Sequence, residues 1–171
     1  MLFFAIKPFY IFAFSVIVIC LLYIIYITLI YPAIRNSIIR KKLTKEALTY
    51  NKNIIIFKSK EYDSTFKIKI EEKIYLAKVI YTPKNCDLQI NNVDTFVVFK
   101  KASDGNYKHK TLSNMTVFMK SNQPNKILLL AKKAKTIKKV INECEMIMVN
   151  SSTDVHGTNI YNFGEYENLF K

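Results

Sequence analysis

The residue types that most often carry chemistry are scarce in this 171-residue chain. His109 and His156 are the two histidines, and both fall in stretches that read as loops. Neither has an HExxH, HxH or Cys-His spacing that would build a metal site or pair a nucleophile with a base. Cys20, Cys86 and Cys144 lie far apart and form no CxxC, so a disulfide framework and a thiolate zinc site are both disfavoured. Asp154-Val-His156 puts a carboxylate and an imidazole on one side of an extended segment, a pairing more common as a turn-stabilising Asp beside an exposed His. Gly105, Gly157 and Gly164 are the only glycines, and neither GxxxxGK[ST] nor GxGxxG occurs, so no backbone cradle for a nucleotide phosphate is expected. These absences predict no metal, no cofactor and no catalytic set.

Charge is the stronger signal. Lys and Arg total 26 against 13 Asp and Glu, a formal net charge of +13. Arg35 and Arg40 are the only arginines, so the basic excess is almost entirely lysine. Specific base readout leans on bidentate Arg, whereas lysines supply a diffuse, salt-screened field, which makes nucleic acid a possible but not a favoured partner.

The elements that position these charges begin with an uncharged run from Pro8 to Pro32. At about 1.5 Å per residue, the stretch from Phe9 to Ile30 covers roughly 33 Å, enough for a hydrocarbon core of about 30 Å. It reads as a single transmembrane helix, residues 1–33, with Tyr10 and Tyr31 at the interfaces. The run is longer than the h-region of a signal peptide and is followed by Tyr-Pro-Ala-Ile-Arg rather than a small-residue cleavage site. Lys7 stands on its N-terminal side, and Arg35, Arg40, Lys41, Lys42 and Lys45 stand on the other. By the positive-inside rule the N-terminus faces out and the rest of the chain is cytoplasmic. Residues 34–50 read as a basic amphipathic helix, with those five cations at the membrane surface against anionic lipid headgroups.

From residue 51 to 171 the pattern is that of an α+β domain. Runs over 53–58, 65–70, 73–81, 86–90, 94–100 and 115–119 alternate with period two and are rich in β-branched and aromatic residues, predicting an antiparallel meander. Asp104-Gly105 marks a turn after the fifth run. Ile127–Leu130 and Glu145–Val149 are apolar, and Lys132–Asn142 between them has helical spacing through Ala134, Ile137 and Ile141. Together they predict a C-terminal βαβ unit with both strands buried on both faces. Its helix would carry Lys132, Lys133, Lys135, Lys138 and Lys139 outward as a ridge for phosphate oxygens or an acidic protein partner.

Asp63 and Glu71-Glu72-Lys73 stand in an Asp…Glu-x-Lys order. With strands followed by a βαβ unit, the layout resembles the restriction-endonuclease-like, PD-(D/E)xK fold, and that resemblance implies carboxylates holding Mg²⁺ beside a lysine. However, Glu71-Glu72-Lys73 reads as a turn, and the strand Leu76–Tyr81, where such a motif belongs, has no carboxylate. The expectation is therefore a membrane-anchored, non-enzymatic binding or scaffold subunit, with a nuclease-like domain, degenerate or active, as the alternative.

Overall fold

The structure, a computed structural model, describes residues 2–59, 65–103, 105–113 and 115–171. The chain is helical from Leu2 to Thr49, as α1 (Leu2–Ile25), a π-helical turn (Tyr26–Ile30) and α2 (Tyr31–Thr49). The π turn has a local cause in Pro32. Proline has no N–H and its ring crowds the carbonyl four residues back, and the wider turn ahead of it absorbs that crowding, with the Tyr31 N–H bonded to the Tyr26 carbonyl. The helix is long and apolar enough to cross a membrane. Two of its hydroxyls bond to its own backbone: Ser15 Oγ donates to the Ile11 carbonyl at 2.8 Å, and Thr28 Oγ1 to the Ile24 carbonyl at 2.7 Å.

Residues 1–38 and 39–171 form separate compact units. The second unit contains two mixed five-stranded sheets, so the fold class is α+β. The first sheet has the order β1 (Ile54–Lys58), β2 (Thr65–Ile70), β3 (Lys73–Ile80), β7 (Lys126–Leu130), β10 (Thr158–Tyr161). The second has the order β6 (Tyr107–Thr111), β5 (Phe96–Lys101), β4 (Asp87–Ile90), β8 (Thr136–Asn142), β9 (Glu145–Met148). Each sheet opens with an antiparallel meander, β1-β2-β3 and β4-β5-β6. β7 then runs parallel to both β3 and β10, and β8 runs parallel to β4.

Side-chain alternation divides the core into two layers. Leu76 and Ile80 of β3, Leu128 and Leu130 of β7, and Ile160 of β10 meet Leu88, Ile90, Phe96, Val98 and Ile137 of the second sheet. On its other face the first sheet presents Phe66, Ile68, Ala77, Val79, Ile127 and Leu129 to Ile39, Leu43 and Ala47 of α2. These three α2 residues are spaced by four and lie on one stripe. β7 is buried along its whole length because α2 covers one face and the second sheet covers the other.

The predicted βαβ unit is corrected here. The segment expected as its helix is β8, paired parallel with β4 and antiparallel with β9. Thr136, Ile137, Val140 and Ile141 are β-branched and favour a strand, and the apparent helical face is broken because Ile141 is exposed while Ala134 and Ile137 are buried. β9 lies in the other sheet from β7 and is exposed throughout, not buried on both faces. The run 115–119 is not a strand either. Thr116–Met119 form a short helix, α3, with Met115, Phe118 and Met119 buried at helical spacing in the inter-sheet core. Two buried lysines face α3: Lys126 Nζ donates to the Met119 and Ser121 carbonyls at 2.5 and 3.0 Å, and Lys78 Nζ lies 5.9 Å from the centre of the Phe118 ring. Burial lowers the pKa of Lys126. β6 and β10 occupy stretches expected as loops. Of the expected Asp104-Gly105 turn, Asp104 lies outside the described residues, and Gly105 takes the positive φ of 85° that the β5–β6 connection uses.

Leu43 is fully buried between α2 and the first sheet. Leu43→Ala is expected to destabilise the second unit by about 2–5 kcal/mol, the usual cost of a large-to-small core change. Denaturant unfolding of the full chain in detergent, followed by far-UV circular dichroism, checks it.

Candidate functional site

β3 and β7 are parallel neighbours in the first sheet, and β4 and β8 are parallel neighbours in the second. The connections 81–86 and 131–135 therefore make the same sheet-to-sheet crossing side by side. Backbone hydrogen bonds join them: Ala131 N–H to the Ile80 carbonyl at 2.9 Å, Asn85 N–H to the Lys133 carbonyl at 2.9 Å, and Lys135 N–H to the Cys86 carbonyl at 2.7 Å. Asn162 holds the second connection from beneath. Its Oδ1 accepts the Ala134 N–H at 2.8 Å and its Nδ2 donates to the Ala134 carbonyl at 3.0 Å, so a buried side-chain amide imitates a strand partner. Tyr166 Oη donates to the Leu130 carbonyl at 2.5 Å, and burial raises the pKa of that phenol so that it stays a donor. Cys86 is likewise buried beneath the lip, and desolvation raises the pKa of its thiol, keeping it protonated and inert.

This scaffold holds out Lys84, Lys132, Lys133 and Lys135, all exposed. Among the described residues none of the four makes an ion pair. Because Asn85 and Cys86 are hydrogen-bonded to Lys133 and Lys135 through the backbone, the chain segments that carry all four lysines run side by side. The lip is a set of cations fixed at their bases and free at their tips, suited to binding carboxylate or phosphate oxygens.

The predicted ridge is thus redistributed. Lys132, Lys133 and Lys135 share the lip, whereas Lys138 and Lys139 are consecutive on β8, opposite Gln89 and Ile90, and point to opposite faces of the sheet. Lys84 joins the lip although it lies 48 positions before Lys132 in the chain. Its sequence signal is a lone lysine in Thr-Pro-Lys-Asn, which becomes informative only once β3 and β7 are known to be parallel neighbours.

The five cations expected at a membrane surface also separate. Arg35 stacks on Tyr31 with its guanidinium carbon 4.1 Å from the ring centre. Arg40 lies over Phe66 at 5.4 Å, and Lys42 lies over Phe163 at 3.9 Å and Tyr166 at 5.6 Å. Arg40 and Lys42 thus contact aromatic side chains of the domain, while Lys41 and Lys45 are exposed.

Glu71 and Glu72 form the β2–β3 turn, with Glu71 at a φ of 55° and ion-paired to Lys52 at 2.6 Å, and Lys73 begins β3. Asp63 lies outside the described residues. Among the described residues no three of His, Cys, Asp and Glu gather as a metal site. The βαβ unit on which the nuclease-like layout depends is replaced by the β8–β9 hairpin. Asp154 Oδ1 accepts the Gly157 and Thr158 N–H groups at 2.6 and 3.2 Å, and His156 is exposed beside it in the same turn. Desolvation, with the nearby Lys139 charge, lowers the pKa of that imidazole. His109 lies exposed on β6 with its ring 6.2 Å from Phe99.

No protein-family model matches this chain, and neither the curated proteins nor the solved structures contain a significant match.

Proposed function

We propose that this protein is a single-pass membrane protein whose basic α+β domain serves as a non-enzymatic binding subunit for an acidic partner protein. The membrane part of this reading rests on the exposed helix. Phe12, Phe14, Ile19 and Leu29 are each about two-thirds exposed, with 67, 68, 65 and 67 % of their surface free, and water would not tolerate that apolar length uncovered. Arg35, Arg40, Lys41, Lys42 and Lys45 follow it, which supports a cytoplasmic domain and an outward N-terminus. Cys144 is exposed and Cys86 is buried, so Cys144 reports the topology. An impermeant maleimide is expected to leave Cys144 unlabelled in intact cells and to label it after permeabilisation. Labelling in intact cells would reverse the orientation.

The observation that carries the binding function is the lysine lip. Pro83, Lys84, Asn85, Lys132, Lys133 and Lys135 are its exposed residues, and none offers an aromatic or large aliphatic group that would enter lipid, which favours protein carboxylates over a bilayer. The test uses the full chain in nanodiscs of neutral lipid, with poly-glutamate as the probe. Changing Lys84, Lys132, Lys133 and Lys135 to Gln should leave folding intact and weaken binding by about 1–3 kcal/mol in total at low salt. The difference should vanish towards 1 M salt, where the Debye length falls from about 10 Å to about 3 Å. Equal binding by both proteins at low salt would remove the lip from the function.

A further inference from the structure

The second sheet packs its inner face, through Leu88, Phe96, Val98 and Ile137, against the first sheet. Strand alternation and register therefore put the odd-numbered residues of β4, β5 and β6 on its outer face. There β5 and β6 gather three ring-bearing side chains. Phe99 stands opposite His109, with ring centres 6.2 Å apart and planes inclined by 38°. Tyr107 lies two residues from His109 on the same strand, opposite Lys101. Tyr107 is 63 % exposed, His109 is exposed and Phe99 is half-buried. None of the three belongs to either apolar layer of the domain, so these rings fill no core.

Polar and cationic groups surround them. The row of His109 and Phe99 continues through Asp87 of β4 to Thr136 of β8, whose hydroxyl donates to Asp87 Oδ1 at 2.6 Å. The next row ends in Gln89 and Lys138. Lys101 and Lys138 thus stand on opposite sides of the Phe99 row, and neither makes an ion pair among the described residues. Each part suits a polynucleotide whose bases are not paired: rings on which bases stack, ammonium groups for phosphates, and a carboxylate and an amide for the exposed base edges. A bilayer would force Asp87 and Gln89 towards hydrocarbon, and an acidic protein would meet a carboxylate at the centre of the face. Base edges instead offer N–H and carbonyl partners to both side chains.

We infer that the outer face of the second sheet is a stacking platform for single-stranded RNA. Stacking accepts any base and lysine needs only phosphate, so the platform works without bidentate arginine, and both arginines of this chain lie on α2. The choice of RNA as the single strand rests on the cytoplasmic placement proposed above; the platform itself does not.

Fluorescence anisotropy of a short, unstructured, labelled RNA tests it on the full chain in nanodiscs of neutral lipid. The parent protein carries Lys84→Gln, Lys132→Gln, Lys133→Gln and Lys135→Gln, so that the lip adds no attraction of its own. Nanodiscs leave both sides of the bilayer open, so failure here is separate from failure of the topology. Tyr107→Ala with His109→Ala should weaken binding about ten-fold or more, and the loss should persist as salt rises because stacking is not screened. Tyr107→Phe keeps the ring and should bind as the parent does. Lys101→Gln with Lys138→Gln should also weaken binding, by a factor that shrinks as salt rises. The same RNA annealed to its complement should bind several-fold more weakly, since its bases are closed to the rings. Unchanged affinity in the Tyr107→Ala, His109→Ala protein with unchanged circular dichroism, or a duplex bound as tightly as the single strand, would overturn the platform. Loss of poly-glutamate binding in place of RNA binding would overturn it too, and would give the face to an acidic protein.

Discussion

The packing of Ile39, Leu43 and Ala47 against the first sheet is the contact on which the rest of the domain depends. A sheet with apolar side chains on both faces is stable only when both are covered, and the second sheet can cover just one. The stripe on α2 supplies the other cover. Phe66, Ile68 and Leu129, all fully buried, would otherwise face water, at about 25 cal/mol for each Å² of apolar surface exposed. Arg40 over Phe66 and Lys42 over Phe163 extend this contact with cations laid on aromatic faces. A start near Tyr50, where the sequence suggests that the domain begins, would remove all three buried α2 side chains.

This contact also explains the character of the lip. Tyr166, which fixes the end of β7, is buried in the layer beneath α2, and Asn162, which fixes Ala134, immediately follows β10. The first sheet is thus clamped between two layers at the strand ends from which both lysine-bearing connections leave. Lys84 and Lys132 are neighbours because β3 and β7 are parallel neighbours, and β7 can be central and parallel because it is covered on both faces.

Much of this was legible in the residues. The alternation in Thr65–Ile70 and Lys73–Ile80 marks two strands of one hairpin, and the unbroken Ile127–Leu130 marks a strand buried on both faces. The Lys132–Asn142 segment was misleading because Ala134, Ile137 and Ile141 satisfy a helical period by spacing alone, while the β-branched side chains of Thr136, Ile137, Val140 and Ile141 follow the pairing with β4. Met115–Met119 misled in the opposite sense, since an apolar run of five is compatible with either a strand or a helical turn, and the inter-sheet core selects the turn. β10 was hidden in a polar stretch because Thr158, Asn159, Ile160 and Tyr161 become a strand only beside β7. Of the lip, Lys132, Lys133 and Lys135 could be read from sequence as a basic cluster. Lys84, Asn162 and Tyr166 could not, because each belongs to the site through pairing or packing that is distant along the chain.

Native-state hydrogen exchange on the full chain in detergent tests the central dependence most directly, through the amides of Leu43 to Ala47 in α2 and those of β2 and β3. If α2 is part of the domain core, both sets should show comparable protection and lose it together as denaturant is raised. Early exchange of the α2 amides while β2 and β3 remain protected would contradict the account and make the helix a detachable linker.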